Sequence, residues 1–189
     1  MKPVERVIAA LTHKQPDHVP CEARCTVDMD AQMIAYTGTK DYITKYIDPP
    51  IVRVDLEPPG EIIKPGLYKD VFGVVWNRTL DKNIGVPENP FITPENLKSY
   101  KFPEPLPDCF FAKPRETFAK AGQAGKYRLA RLNLSLWERA WAMRGMENLM
   151  MDIVVEPTFA AEYLGAICDY NCKVLERALA NLEFEGVHF

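Results

Sequence analysis

The last third of this chain limits its architecture more than any other part. Residues 115–123 carry a helical pattern with Gly125 just beyond it, and residues 127–134, YRLARLNL, read as a strand. Two helices follow, at 137–144, closed by Gly145, and at 147–155, closed by Glu156-Pro157. A long amphipathic helix then covers 158–182. Its apolar face includes Phe159, Tyr163, Ile167, Tyr170, Val174 and Ala178, at spacings of three and four. Gly186 breaks the pattern, and Val187-His188-Phe189 begins another strand. A strand, helices and a strand in that order require a parallel crossover, because parallel neighbours cannot be joined by a tight turn.

The front of the chain is more broken. Residues 3–13 are expected to be helical, with Pro3 in the first turn and Val4, Val7, Ile8 and Leu11 on one face. Asp28 is placed to cap a helix running to about Tyr36, with Gly38 as its stop, and residues 41–46 read as a short helical turn. Residues 51–56, IVRVDL, alternate and are β-branched, as a strand requires. The sixteen prolines crowd between Pro49 and Pro114. Residues 57–114 therefore read as an irregular insertion, with one strand expected at VFGVVW (71–76) and a hairpin about Gly73. One domain over 1–189 results, in three stretches: 1–56, 57–114 and 115–189.

Composition removes several function classes. A formal charge of −3 supplies no basic field for nucleic acid and no polybasic surface for a membrane. No apolar run approaches the ~20 residues of a bilayer span. The opening Met1-Lys2-Pro3-Val4-Glu5-Arg6 lacks a signal-peptide layout. Five cysteines make an odd count, which favours reduced thiols in the cytoplasm. Cys168 and Cys172 are four apart on the long helix, a spacing at which two thiols can share a metal, although small buried thiols are the plainer reading. Cys21 and Cys25 share the spacing in extended chain.

A complete (β/α)8 barrel usually takes ~250 residues. With 189 residues, the fold expected is α/β, the N-terminal portion of such a TIM barrel, in a natural protein that continues past Phe189. A half barrel exposes strand edges, so self-association or a complementary partner chain is expected with it. The candidate site residues follow from the same topology. Asp70, with Gly73 and Trp76, precedes an apolar strand and can face a barrel mouth; a turn aspartate in a surface hairpin is the plainer alternative. Glu22 and Arg24 follow the first extended segment, where barrel sites form, and a solvated loop pair competes with that role. Asn133 ends a strand, Ser135 suits an N-cap, and His188 lies in the terminal strand.

The stretches ERVIAALTHKQPDHVP (5–20), DVFGVVWN (70–77), ITPENLKSYKFPEP (92–105), LWERAWAMRGMENLMMDIVVEP (136–157) and EGVHF (185–189) cover nearly the whole chain. Their order resembles the uroporphyrinogen decarboxylase (URO-D) superfamily, which includes tetrapyrrole decarboxylases and corrinoid-dependent methyltransferases. None of these stretches is a catalytic signature; from their expected places about a barrel mouth, Asp70 and Arg24 are the candidate catalytic residues, and Glu22, Trp76, Asn133 and His188 the candidate substrate contacts. In decarboxylases of that family an R-x-x-x-R motif follows the first Val-Pro. Here VPCEARCTVDMD has Arg24 alone, with Asp28 four residues on. A substrate with many carboxylates needs several planar cations. The resemblance is therefore closer to the methyltransferase-like members, which move a methyl group to a thiol or similar acceptor. It implies a small-molecule or tetrapyrrole/corrinoid substrate and a corrinoid protein as partner. The zinc ligands of those members, His-x-Cys and a later Cys, do not occur here, so zinc and a corrinoid are expected only with a further C-terminal half. The remaining alternatives are lyase activity of the decarboxylase type and a non-catalytic half barrel.

Overall fold

A computed structural model describes residues 1–189. In chain order the elements are α1 (Pro3–Leu11), α2 (Val27–Thr37), α3 (Tyr42–Tyr46), β1 (Ile51–Asp55), β2 (Glu61–Lys64), β3 (Leu67–Lys69), β4 (Val75–Asn77) and β5 (Val86–Pro87). There follow α4 (Ala112–Gln123), β6 (Tyr127–Arg131), α5 (Trp137–Arg144), α6 (Met146–Val155), α7 (Pro157–Asn181) and β7 (Gly186–His188). The chain divides into two compact units. One comprises Met1–Val54, Ala112–Arg131 and Leu182–His188; the other comprises Asp55–Phe111, Leu132–Asn181 and Phe189.

The first unit is organised by a three-stranded parallel sheet in the order β1-β6-β7. β6 and β7 pair in the register Leu129↔Gly186, Ala130↔Val187 and Arg131↔His188. The Tyr127 amide donates to the Pro50 carbonyl at 2.8 Å, at the start of β6. Val7 of α1 and Phe118 and Ala121 of α4 are buried, as is Ala130 at the centre of β6. Gly186 is required by close approach, since a Cβ there would collide with the Tyr127 hydroxyl. The entry to β7 is held by Arg128, whose guanidinium reaches Glu185 Oε1 at 2.6 and 3.0 Å. α2 is capped by Thr26, whose hydroxyl accepts from the Met29 amide at 3.3 Å, so the helix starts before Asp28. Gly38 ends it in the left-handed region, at φ 69°.

The second unit combines a four-stranded antiparallel sheet, β2-β3-β4-β5, with α5, α6 and α7. Tyr68 sits opposite Ile62 on one side and Trp76 on the other. β2 and β3 meet through Pro65-Gly66, with Gly66 at φ 81°, a region open to glycine at little cost. α7 buries Phe159, Tyr163, Ile167, Tyr170, Val174 and Ala178, the face that its spacing predicts. The Tyr163 hydroxyl donates to the Ala140 carbonyl of α5 at 3.0 Å. Arg144 closes the α5–α6 corner with a two-pronged grip on Asp152, at 2.6 and 3.0 Å. No helix is long and apolar enough to cross a membrane.

The half barrel expected from the sequence does not form. The N-terminal portion of a TIM barrel would lay successive parallel strands side by side, each followed by its helix. Here the parallel sheet has three strands, and a separate antiparallel sheet of four strands stands between β1 and β6 in the chain. The cause lies in residues 57–114, expected to be irregular. Within them Pro65 lies in the β2–β3 turn and Pro87 ends β5, and the short strands pair as antiparallel neighbours in chain order. Of VFGVVW only Val75 and Trp76 are strand, because Asp70–Gly73 is a turn with Gly73 at φ 94°.

Candidate functional site

β4 and α5 build the most heavily charged interior of the molecule. Asp70 lies just after β3 and is buried. Its Oδ1 accepts the Phe72 and Val74 amides, each at 3.0 Å. Its Oδ2 accepts the Trp76 indole N–H at 3.0 Å and the Arg139 guanidinium at 2.5 Å. Both oxygens are thus engaged twice, with two amides on one and a charged donor plus an indole on the other. Trp76 is buried by the same arrangement and meets Trp141 edge-on at 6.3 Å.

Arg139 is the centre of this cluster. It is 1 % exposed, with its guanidinium stacked 3.8 Å from the centroid of the Phe72 ring. Its second amino group reaches Glu57 Oε2 at 2.7 Å. Glu57 follows β1 by two residues, and its side chain is 17 % exposed. Burial raises the Glu57 carboxyl above its ordinary value; the Arg139 cation opposes this, while Asp70 and Asp55 add to it. One cation therefore faces two carboxylates. Asp70 holds the closer contact, at 2.5 Å against 2.7 Å for Glu57.

A cavity of ≈10 Å³ adjoins Glu57 and Arg139, with Asn133, Tyr170 and Asn171 also in its wall. This is room for about one water-sized group. Asn133 is exposed at its rim, in the turn that ends β6. The next residue, Leu134, is held at φ 50°, which costs a non-glycine side chain of order 1 kcal/mol. Ser135 does not cap α5; its carbonyl accepts a hydrogen bond from the Asn171 side chain. Burial also raises the Tyr170 hydroxyl to about 12, with the Glu57 charge as a second cause, so it remains a proton donor at neutral pH.

The other sequence-derived candidates lie in the first unit. Glu22 receives Arg53 on both oxygens at 2.7 Å and Arg24 at 3.3 Å. Arg24 is more than half exposed. His188 is exposed opposite Arg131 in the β6/β7 register. The structure thus gathers Asp70, Trp76 and Asn133 in one unit and Glu22, Arg24 and His188 in the other. Sequence reasoning passed over Glu57, Arg139 and Arg53. The rule that singled out Asn133, a polar residue just past a strand, also selects Glu57. Arg139 left a fainter signal, a cation flanked by the small and apolar Ala140, Ala142 and Met143 on a core-facing helix.

No group of three or more His, Cys, Asp and Glu side chains is placed to hold a metal ion. Compared with protein-family models, curated proteins and solved structures, the chain matches none.

Proposed function

We infer that this chain serves a small-molecule enzyme in which Glu57 handles a proton, with methyl transfer to a thiol or similar acceptor as the reaction class. The observation that carries the inference is Glu57 itself. It is a carboxyl raised by burial, oriented by Arg139 at 2.7 Å, beside a space that takes one small group. A thiol gives up its proton when it is methylated. A carboxylate with raised proton affinity is a better acceptor for that proton than an ordinary one. Arg139 holds Glu57 in the wall of this water-sized space, from which the carboxyl can exchange a proton with one small group. The reaction class comes from the sequence resemblance.

Tetrapyrrole decarboxylation is the weaker reading. It calls for an aspartate free to meet pyrrole nitrogens and for several unengaged cations. Asp70 has both oxygens committed within the protein, and Arg24 and Arg53 share Glu22. The cytoplasm suits either chemistry, because five unpaired thiols persist best where the redox poise is reducing.

The test incubates the purified chain with methylcobalamin and 2-mercaptoethanol. Methyl thioether is measured by mass spectrometry against a chain-free control. The wild type is expected to form thioether above the control, and Glu57→Gln to lower the rate by roughly 10²–10⁴-fold. Thioether at the control rate, or an unaffected Glu57→Gln variant, overturns the proposal. Decarboxylation of uroporphyrinogen by the wild type would transfer the assignment to the second reading.

A further inference from the structure

All five cysteines are unpaired, and two of them are arranged unlike the rest. Cys168 and Cys172 stand one turn apart on α7, where side chains at i and i+4 lie one above the other. The helix beneath them is anchored by Ile167, Tyr170 and Val174, all buried, so the two Cα positions are fixed relative to each other. Both cysteines are nevertheless exposed. The sequence pattern had made buried thiols the plainer expectation, but the buried stripe passes through Ile167 and Val174 and leaves both sulfurs on its flank. At that spacing on one helix face the two sulfurs can reach a single ion, and Asp169 and Glu176 lie beside them in the same helix. Cys21 and Cys25 have the same spacing, but no helix holds them in line.

We propose that Cys168 and Cys172 form a two-coordinate dithiolate site for a soft monovalent cation of the Cu(I) class. Thiolates select soft ions, so Cu(I) and Zn(II) are the natural candidates. A structural zinc site is closed by four protein ligands, and this surface provides two. A monovalent ion that accepts low coordination needs no more. The reaction balances without a redox partner: one Cu(I) ion binds two thiols, two S–Cu bonds form, two S–H bonds break, and two protons leave to solvent. The acidic neighbours Asp169 and Glu176 favour the cation, and Lys173, next to Cys172 in the chain, opposes it. The inference is independent of the Glu57 reading.

The test titrates the reduced whole chain anaerobically with Cu(I) in competition with bathocuproine disulfonate. The wild type is expected to withhold one equivalent per chain and to show a thiolate-to-copper charge-transfer band. Cys168→Ser and Cys172→Ser should each lose that equivalent. Cys109→Ser and the double variant Cys21→Ser/Cys25→Ser should keep it. Circular dichroism checks the fold of every variant, and both helix positions are exposed, so replacement leaves the core intact. One equivalent retained by Cys168→Ser or Cys172→Ser overturns the site. So does copper that elutes with a dimer on size exclusion, since the ion would then bridge chains rather than sit between two thiols of one helix.

Discussion

Two arginine–carboxylate clusters, one in each unit, use the same chemistry in opposite settings. In the first unit one carboxylate, Glu22, serves two cations, Arg53 and Arg24, near solvent. In the second unit one cation, Arg139, serves two carboxylates, Asp70 and Glu57, away from it. Near solvent, water screens the charges and side-chain entropy offsets much of the attraction, so such pairs add little. In the interior, removing charge from water costs several kcal/mol per ion, and only close, fully hydrogen-bonded partners repay it. Asp70 meets that condition with four donors. Glu57 has the Arg139 contact, and burial raises its proton affinity against that cation. The Glu22 cluster also leaves one imperfection: the Arg53 Nε is buried without a hydrogen-bond partner.

The contrast breaks most visibly at Arg139. Arg139→Met leaves Asp70 and Glu57 buried without their cation, and the expected loss is about 3–5 kcal/mol in urea unfolding. A loss below about 1 kcal/mol would mean that the interior cluster behaves like the solvated one. Trp76→Phe keeps most of the ring and removes one donor to Asp70. About 1–3 kcal/mol is expected from the same measurement, because a buried acceptor loses a partner.

Glu57→Gln sharpens the comparison through pH. The folded chain binds the Glu57 proton more tightly than the unfolded chain does. Its stabilising contribution is therefore complete below the ordinary value of 4.5 and is lost as pH rises through the raised one. Unfolding free energies measured across this window should show the wild type losing ground to the Gln variant with increasing pH. A parallel pair of curves would contradict the raised value. The smallest effect is expected at Arg24→Ala, within about 0.5 kcal/mol of wild type, because its pairing with Glu22 is long and exposed.

Some of this was legible in the residues themselves. The buried face of α7 follows from three- and four-residue spacing, the ends of α2 and α5 from Gly38 and Gly145, and the terminal strand from the break at Gly186. Such features depend on neighbours a turn or less away, where backbone geometry alone relates sequence to structure. Of the β2–β5 sheet only the hairpin about Gly73, which joins β3 to β4, was legible; each strand has two to four residues, and no periodicity can be established over so short a run. The half-barrel expectation failed for the same reason. The signal for β1, β6 and the crossover to β7 was real, but it could not say what the intervening residues would build.

The candidate site divides along the same line. The sequence by itself singled out Asp70 beside an apolar strand, with a turn aspartate as the plainer alternative, and Asn133 past the end of another. Only the tertiary structure decided that Asp70 and Arg139, 69 positions apart, share a 2.5 Å contact, and that burial raises the Glu57 carboxyl. Burial and long-range pairing are properties of the assembled core, and no local pattern along the chain encodes the desolvation that a carboxylate meets there.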